Sequence, residues 1–132
     1  MKIITWNIRG ANGISKHIAP ISMIQEEKLT VLLLQETKTS RASLSKISQK
    51  VWRGANCISN YSQGNAGGLA ILWDSNLVTL NSICSMKHVI STSFHLIGTN
   101  IEGSIFNFCG PHTTLQKLHF LNKLKWLALN SQ

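Results

Sequence analysis

Four consecutive aliphatic side chains, Val31-Leu32-Leu33-Leu34, followed by Gln35 and Glu36, constrain the fold of this chain more than any other feature. A run of that length without polar alternation has the character of a strand buried on both faces, the setting of a covered α/β sheet. A similar run, Lys2-Ile3-Ile4-Thr5-Trp6, opens the chain and leads into Asn7, so two strands each end in an oxygen-bearing polar residue. Ligands of α/β sheets sit at the carboxyl ends of the strands. An amide and a carboxylate brought together there have the donors to hold a hard cation.

Elements of both kinds alternate along the rest of the chain. Arg9-Gly10-Ala11-Asn12-Gly13 reads as a loop, and Ile18, Ile21, Ile24 and Leu29 then recur at helical spacing, with Pro20 confined to the first turn. A second helix is expected over residues 40–52, where Leu44, Ile47 and Val51 form one face and Lys46, Lys50 and Arg53 another. Gly67-Gly68 is a turn feeding a buried strand, Leu69-Ala70-Ile71-Leu72-Trp73, which Asp74-Ser75-Asn76 ends. Strands are expected over 77–84, 88–97 and 101–109, the last closed by Gly110-Pro111. From Thr113, a capping residue paired with Gln116, leucines 115, 118, 121, 124 and 127 mark a final helix.

At 132 residues and 43% hydrophobic, the chain suits one domain with a true core. Its 13 basic and 5 acidic residues give a formal charge of +8. Nine of the basic residues and three of the acidic ones fall within residues 1–66, which makes the N-terminal half the anion-facing one. Cys57, Cys84 and Cys109 are odd in number and contain no CxxC pair, so neither a disulfide framework nor a zinc site is indicated and a reducing, intracellular setting fits. Met1-Lys2 is followed by only two aliphatic residues before Thr5, which is no signal-peptide core. No apolar stretch approaches the roughly 20 residues of a membrane span.

Glu36 is the natural direct ligand for Mg²⁺, and Asn7 offers its amide oxygen to metal or phosphate while its NH₂ orients Glu36. Such a pair suits phosphodiester hydrolysis, where a cation offsets charge on the phosphoryl oxygens. From spacing alone the plainer reading is commoner: Asn7 caps a strand end, and Glu36 pairs at the surface with Lys38 or Arg41.

Four motifs together, Trp6-Asn7-Ile8-Arg9-Gly10, Leu34-Gln35-Glu36-Thr37-Lys38, Gly67 to Trp73, and Asn107-Phe108-Cys109-Gly110-Pro111, resemble the endonuclease/exonuclease/phosphatase superfamily. Within it the chain is most similar to the apurinic-endonuclease-like domain of plant LINE-type retrotransposons. The resemblance covers residues 1–132 as a single incomplete domain. It implies a DNase I-like four-layer α/β/β/α sandwich, a metal site at Asn7 and Glu36 serving catalysis with Mg²⁺ or alternatively Mn²⁺, DNA as partner, and a nuclear location. The remainder of a retrotransposon polyprotein is the implied protein partner.

Departures from that pattern limit what the chain implies. Cys109 stands where the family usually has a phosphate-orienting Tyr, and reads as a small hydrophobe without an adjacent base. The family's Gly-Asp-Phe-Asn and Ser-Asp-His motifs are absent: the single aspartate, Asp74, belongs to a turn. By this resemblance Gln132 falls about halfway through a complete domain, which implies a fragment inactive alone. His17, His88, His95, His112 and His119 lie at no catalytic spacing. His95 is expected to be exposed, and His112 is expected to be the only histidine near the site. Lys38, Arg41, Lys46, Lys50 and Arg53 form a run without an acid and suit a DNA backbone, with Arg9 better placed beside the metal residues. Trp6, Trp52 and Trp73 read as core, and Trp126 as covering a sheet. Half a sandwich is expected to leave strands such as Leu69–Trp73 without full cover. Two other functions fit the same residues: a non-catalytic DNA-binding remnant using the basic helix, and a phosphomonoesterase of the same superfamily.

Overall fold

The computed structural model describes residues 1–9, 22, 24, 28–60 and 67–109. The helix expected from Thr113, together with Gly10, Gly13, Pro20, Gly110, Pro111, His17, His112, His119 and Trp126, lies outside them.

The two runs that end in Asn7 and Gln35 form β1 (Ile3–Asn7) and β2 (Val31–Gln35), paired in parallel with Asn7 opposite Gln35. Ser22 and Ile24, in the connection between them, are helical, and Ile24 packs against the sheet. After β2 comes α1 (Arg41–Val51), capped by the Ser40 hydroxyl, which accepts the Ser43 N–H at 3.2 Å. Its far end is tied to the next turn by Gln49, which donates to the Ala55 carbonyl and accepts from Gly54. Leu44 and Val51 are buried on one face of α1 while Lys46 and Lys50 are exposed on the other.

Two more strands, β3 (Asn56–Asn60) and β4 (Leu69–Trp73), complete a four-stranded sheet in the order β1-β2-β4-β3, antiparallel apart from the first pair. β3 is an element that hydrophobic patterning did not mark. The remaining strands, β5 (Val78–Met86), β6 (Val89–Leu96) and β7 (Glu102–Phe108), form a second, antiparallel sheet in chain order. Gly103 lies close under the Phe94 ring, which would have to give by a few tenths of an ångström for a Cβ there, 3.0 Å from it. In β5 the pairing shifts between Asn81 and Cys84, with Ser82 left-handed and Ile83 exposed; Thr92 and Ser93 donate their hydroxyls to the Asn81 carbonyl.

Alternation along β2 and β4 splits the core in two. Leu32, Leu34, Ala70 and Leu72 face α1 with Leu44, Val51 and the half-buried Trp6 and Trp52, whereas Val31, Leu33, Leu69 and Ile71 face Val78, Ile90 and Ile105 of the second sheet. Helix, sheet and sheet are three of the four expected layers. β7 lies over β2 and β4, and β5 reaches β3, where Asn60 donates to the Met86 carbonyl. The second sheet therefore stops short of β1, whose residues Ile3, Thr5 and Asn7 are exposed.

The expectation that β4 lacks cover is overturned: Leu69, Ala70, Ile71 and Leu72 are all at most 1% exposed. The reason is its central place, flanked by β2 and β3 and sandwiched between α1 and the second sheet. Leu72→Ala is accordingly expected to lower unfolding free energy by about 2–5 kcal/mol. Thr79→Ala, on an exposed strand position, should stay within about 0.5 kcal/mol of wild type. Urea unfolding midpoints of the two variants check both values.

Candidate functional site

The carboxyl ends of β1 and β2 finish side by side, the Ile8 N–H donating to the Gln35 carbonyl at 3.0 Å. Asn7 is exposed, and its Oδ1 accepts the Arg9 N–H at 3.2 Å, a local turn that uses one of the oxygen's two lone pairs. Strand alternation continued past Gln35 would send Glu36 toward α1 beside Leu34. Instead Glu36 is left-handed, with φ 53°, which breaks the alternation.

Left-handed backbone is uncommon for residues other than glycine and costs of order 1–3 kcal/mol where the surroundings impose it. Of five such described residues, Arg9, Glu36 and Lys38 cluster here. The strained segment is braced from β4: the Thr37 and Lys38 N–H groups donate to the Gly68 and Gly67 carbonyls at 3.2 and 2.9 Å. Gly67 and Gly68 themselves have φ of 78° and 97°. Thr37 is fully buried, and its hydroxyl has no partner, a gap of the kind that a water or bound group fills.

The third strand to arrive is β7, whose end carries Cys109. Burial pushes the Cys109 thiol up from its ordinary value, and the negative charge of Glu36 pushes it further, so the thiol is held protonated beside the carboxylate. Its N–H donates to the His88 carbonyl at 3.1 Å. That carbonyl belongs to the turn between β5 and β6, and His112, the histidine expected near the site, lies outside the described residues. The hairpin turns back at the same end at which β7 finishes, a consequence of pairing that spacing did not carry. Cys57, behind α1, is pushed up to about 11 by burial, against a lowering hydrogen bond from Ser48.

Other expected groups fall elsewhere. Asp74 follows β4 at the opposite end, its N–H donating to the Thr30 carbonyl and its Oδ1 accepting from Asn76. His95 is half-buried rather than exposed, its Nε2 2.7 Å from the Thr99 carbonyl oxygen in the turn after β6. Lys46, Lys50 and Arg53 are exposed, Lys38 is half-buried, and Arg41 begins α1. Among the described residues no group of three or more His, Cys, Asp and Glu side chains gathers, and no helix is long and apolar enough to cross a membrane.

Sequence reasoning missed the side chains that connect these strand ends. Gln35 Nε2 donates to Thr5 Oγ1 at 2.7 Å and to Asn107 Oδ1 at 2.8 Å. Asn107, only 1% exposed, donates in turn to the Leu34 and Ala70 carbonyls at 3.1 and 2.8 Å. The available signal was a polar residue, Asn107, at an inward position of an alternating strand.

A mixed sheet faced by an antiparallel sheet, with its helix outside, is a DNase I-like fold. No family model matches the sequence, and no curated protein matches it. Among solved structures, the catalytic domain of Xenopus laevis APE2 matches at 20% identity and a TM-score of 0.71, over 95% of this chain and 52% of that one. An AP endonuclease from Archaeoglobus fulgidus matches at 19% identity and a TM-score of 0.71, over 98% and 52%. D. rerio TDP2, complexed with single strand DNA product, matches at 13% identity and a TM-score of 0.70, over 98% and 55%. At these identities the likeness defines the fold. The chain spans about half the length of the structures it matches.

Removing the charge of Glu36 lifts one of the two influences that hold Cys109 protonated, so Glu36→Gln should increase the thiolate fraction at a given pH. Iodoacetamide labelling of Cys109, followed by peptide mass spectrometry across pH 7–10, should show faster modification in the variant. An unchanged profile would place the carboxylate too far away to matter.

Proposed function

We propose that the chain carries the metal-binding half of a phosphodiesterase site that acts on DNA. The observation that supports this most is the left-handed Glu36 at the end of β2, turned out of strand alternation beside Asn7. Hard oxygen donors with a single carboxylate suit Mg²⁺, which keeps several waters and takes one or two carboxylates, and Mn²⁺ accepts the same donors. Glu36 would hold the ion directly, and Asn7 through the amide lone pair that Arg9 leaves unused. The orphaned Thr37 hydroxyl beside them fits a site that gains a water or bound group. When bound, the cation offsets negative charge on the phosphoryl oxygens.

The chain's own residues account for binding more fully than for bond cleavage. Lys46, Lys50 and Arg53 present an exposed cationic edge suited to backbone phosphates, and Arg9 stands two residues from Asn7. Asp74 and His95 lie at the far end, and the Cys109 thiol is protonated, so none of these three takes a proton from water at the site. A carboxylate and a histidine from a further segment would be needed for hydrolysis, so the chain by itself is inactive in this reading. The resemblance to LINE-type apurinic endonucleases suggests that segment's source, the remainder of a retrotransposon polyprotein acting in the nucleus. The AP endonuclease and DNA-complexed neighbours favour DNA over a small phosphate ester.

Two measurements test this reading. In the protein assembled with its polyprotein remainder, Glu36→Ala should reduce Mg²⁺-dependent nicking of supercoiled plasmid by at least about 100-fold, by loss of the cation's charge stabilisation; unchanged nicking removes the metal assignment. For DNA binding by the chain alone, replacing Lys46, Lys50 and Arg53 with Ala should flatten the slope of log affinity against log salt by about 2–3. An unaltered slope removes the basic edge from the interface.

A further inference from the structure

We infer that Gln35 and Asn107 are a positioning pair, a lock of a half-buried amide joined to a buried one, that sets how Glu36, Asn7 and Cys109 approach one another. The inference builds on the reading of Asn7 and Glu36 as site residues, but the geometry that carries it involves no metal.

Both hydrogens of each amide are used. Gln35 Nε2 serves Thr5 Oγ1 on β1 and Asn107 Oδ1 on β7, and Asn107 Nδ2 serves the Leu34 carbonyl on β2 and the Ala70 carbonyl on β4. Four strands from two sheets therefore meet in four hydrogen bonds. Each tied position lies just inside a site residue: Thr5 two before Asn7, Gln35 one before Glu36, and Asn107 two before Cys109. The lock is thus the last ordered layer before the site.

Most of the rest of the interface between the sheets is apolar, with Val31, Leu33 and Ile71 against Ile90 and Ile105, and the Asn60 bond to the Met86 carbonyl ties only the β3–β5 margin. Burial of such groups is non-directional, so it resists separation of the sheets far more than a slide of one across the other. Hydrogen bonds have directions and lengths, and a slide of one residue would break all four. Exchanging protein–water for protein–protein hydrogen bonds yields little net stability, so the effect of this pair of amides falls on geometry more than on stability. On the face of β1 that the second sheet does not cover, Gln35 supplies a side-chain hydrogen bond to Thr5, while Ile4 and Trp6 pack on the other face.

The test uses Gln35→Met with Asn107→Leu, which removes both amides and keeps the interior filled. Native-state hydrogen exchange of the full chain compares two sets of amides. Ile8, Thr37, Lys38 and Cys109 lie at the site end, and Val78, Ile97 and Thr99 at the far end. Site-end exchange should rise about tenfold or more while far-end exchange is unchanged, the pattern of a local opening. A rise shared by both sets, or no rise, overturns the inference. In parallel, Mn²⁺ binding followed by electron paramagnetic resonance should weaken about tenfold, the loss expected when a group behind a metal ligand is removed. If the unaltered chain takes up no Mn²⁺, the metal reading falls, and the exchange pattern still decides the lock. Gln35→Met alone keeps the Asn107 bonds to Leu34 and Ala70; it is read by the same exchange comparison should the double variant fail to fold.

Discussion

Everything in this molecule hangs on the antiparallel pairing of β2 with β4. Their residues are enclosed from both faces, by α1 on one side and by the second sheet on the other, and each half of the core contains four of them. At roughly 25 cal/mol per Å² of apolar surface removed from water, two strands buried on both faces are the largest concentrated source of stability the chain has. The ends of these strands are consequently held still. Glu36 and the Gly67–Gly68 turn emerge together from the most rigid part of the structure, and that rigidity is what allows left-handed backbone to persist at Glu36 and Lys38.

Strain and polarity are concentrated at the same end. The backbone leaves the strand regime where Glu36 emerges, the fully buried Thr37 hydroxyl goes unpaired beside it, and a chain of amides runs through the interior just beneath. Among the described residues Thr37 carries the one buried side-chain polar atom without a partner, so that cost falls at this end. The opposite end, with Asp74 and His95, shows ordinary turn chemistry: Asp74 closes a turn onto Asn76, and His95 engages the Thr99 carbonyl.

What could be read from the sequence follows from which signals are local. The runs at 31–35 and 69–73 are buried because no other environment accepts four or five successive apolar side chains, and the face of α1 follows from the spacing of Leu44, Ile47 and Val51. β3 was illegible: Asn56-Cys57-Ile58-Ser59-Asn60 has no apolar run, and it is a strand because β4 offers it a partner. Asn7 and Glu36 were legible as the residues where strands stop. Gln35, Thr5 and Asn107 were not, since what joins them is the stacking of two sheets across 30 and 72 residues of sequence.

The irregularity in β5 bears on how this sandwich can grow. At Ser82 and Ile83 the outer strand of the second sheet loses its register, and such a bulge twists an edge away from the flat, regular row of donors and acceptors that an incoming strand requires. Among the described residues the other margin of that sheet is β7, which carries no such interruption. Accretion is thereby made one-sided. Among the described residues a further strand would meet a regular row of donors and acceptors along β7 and an interrupted one along β5.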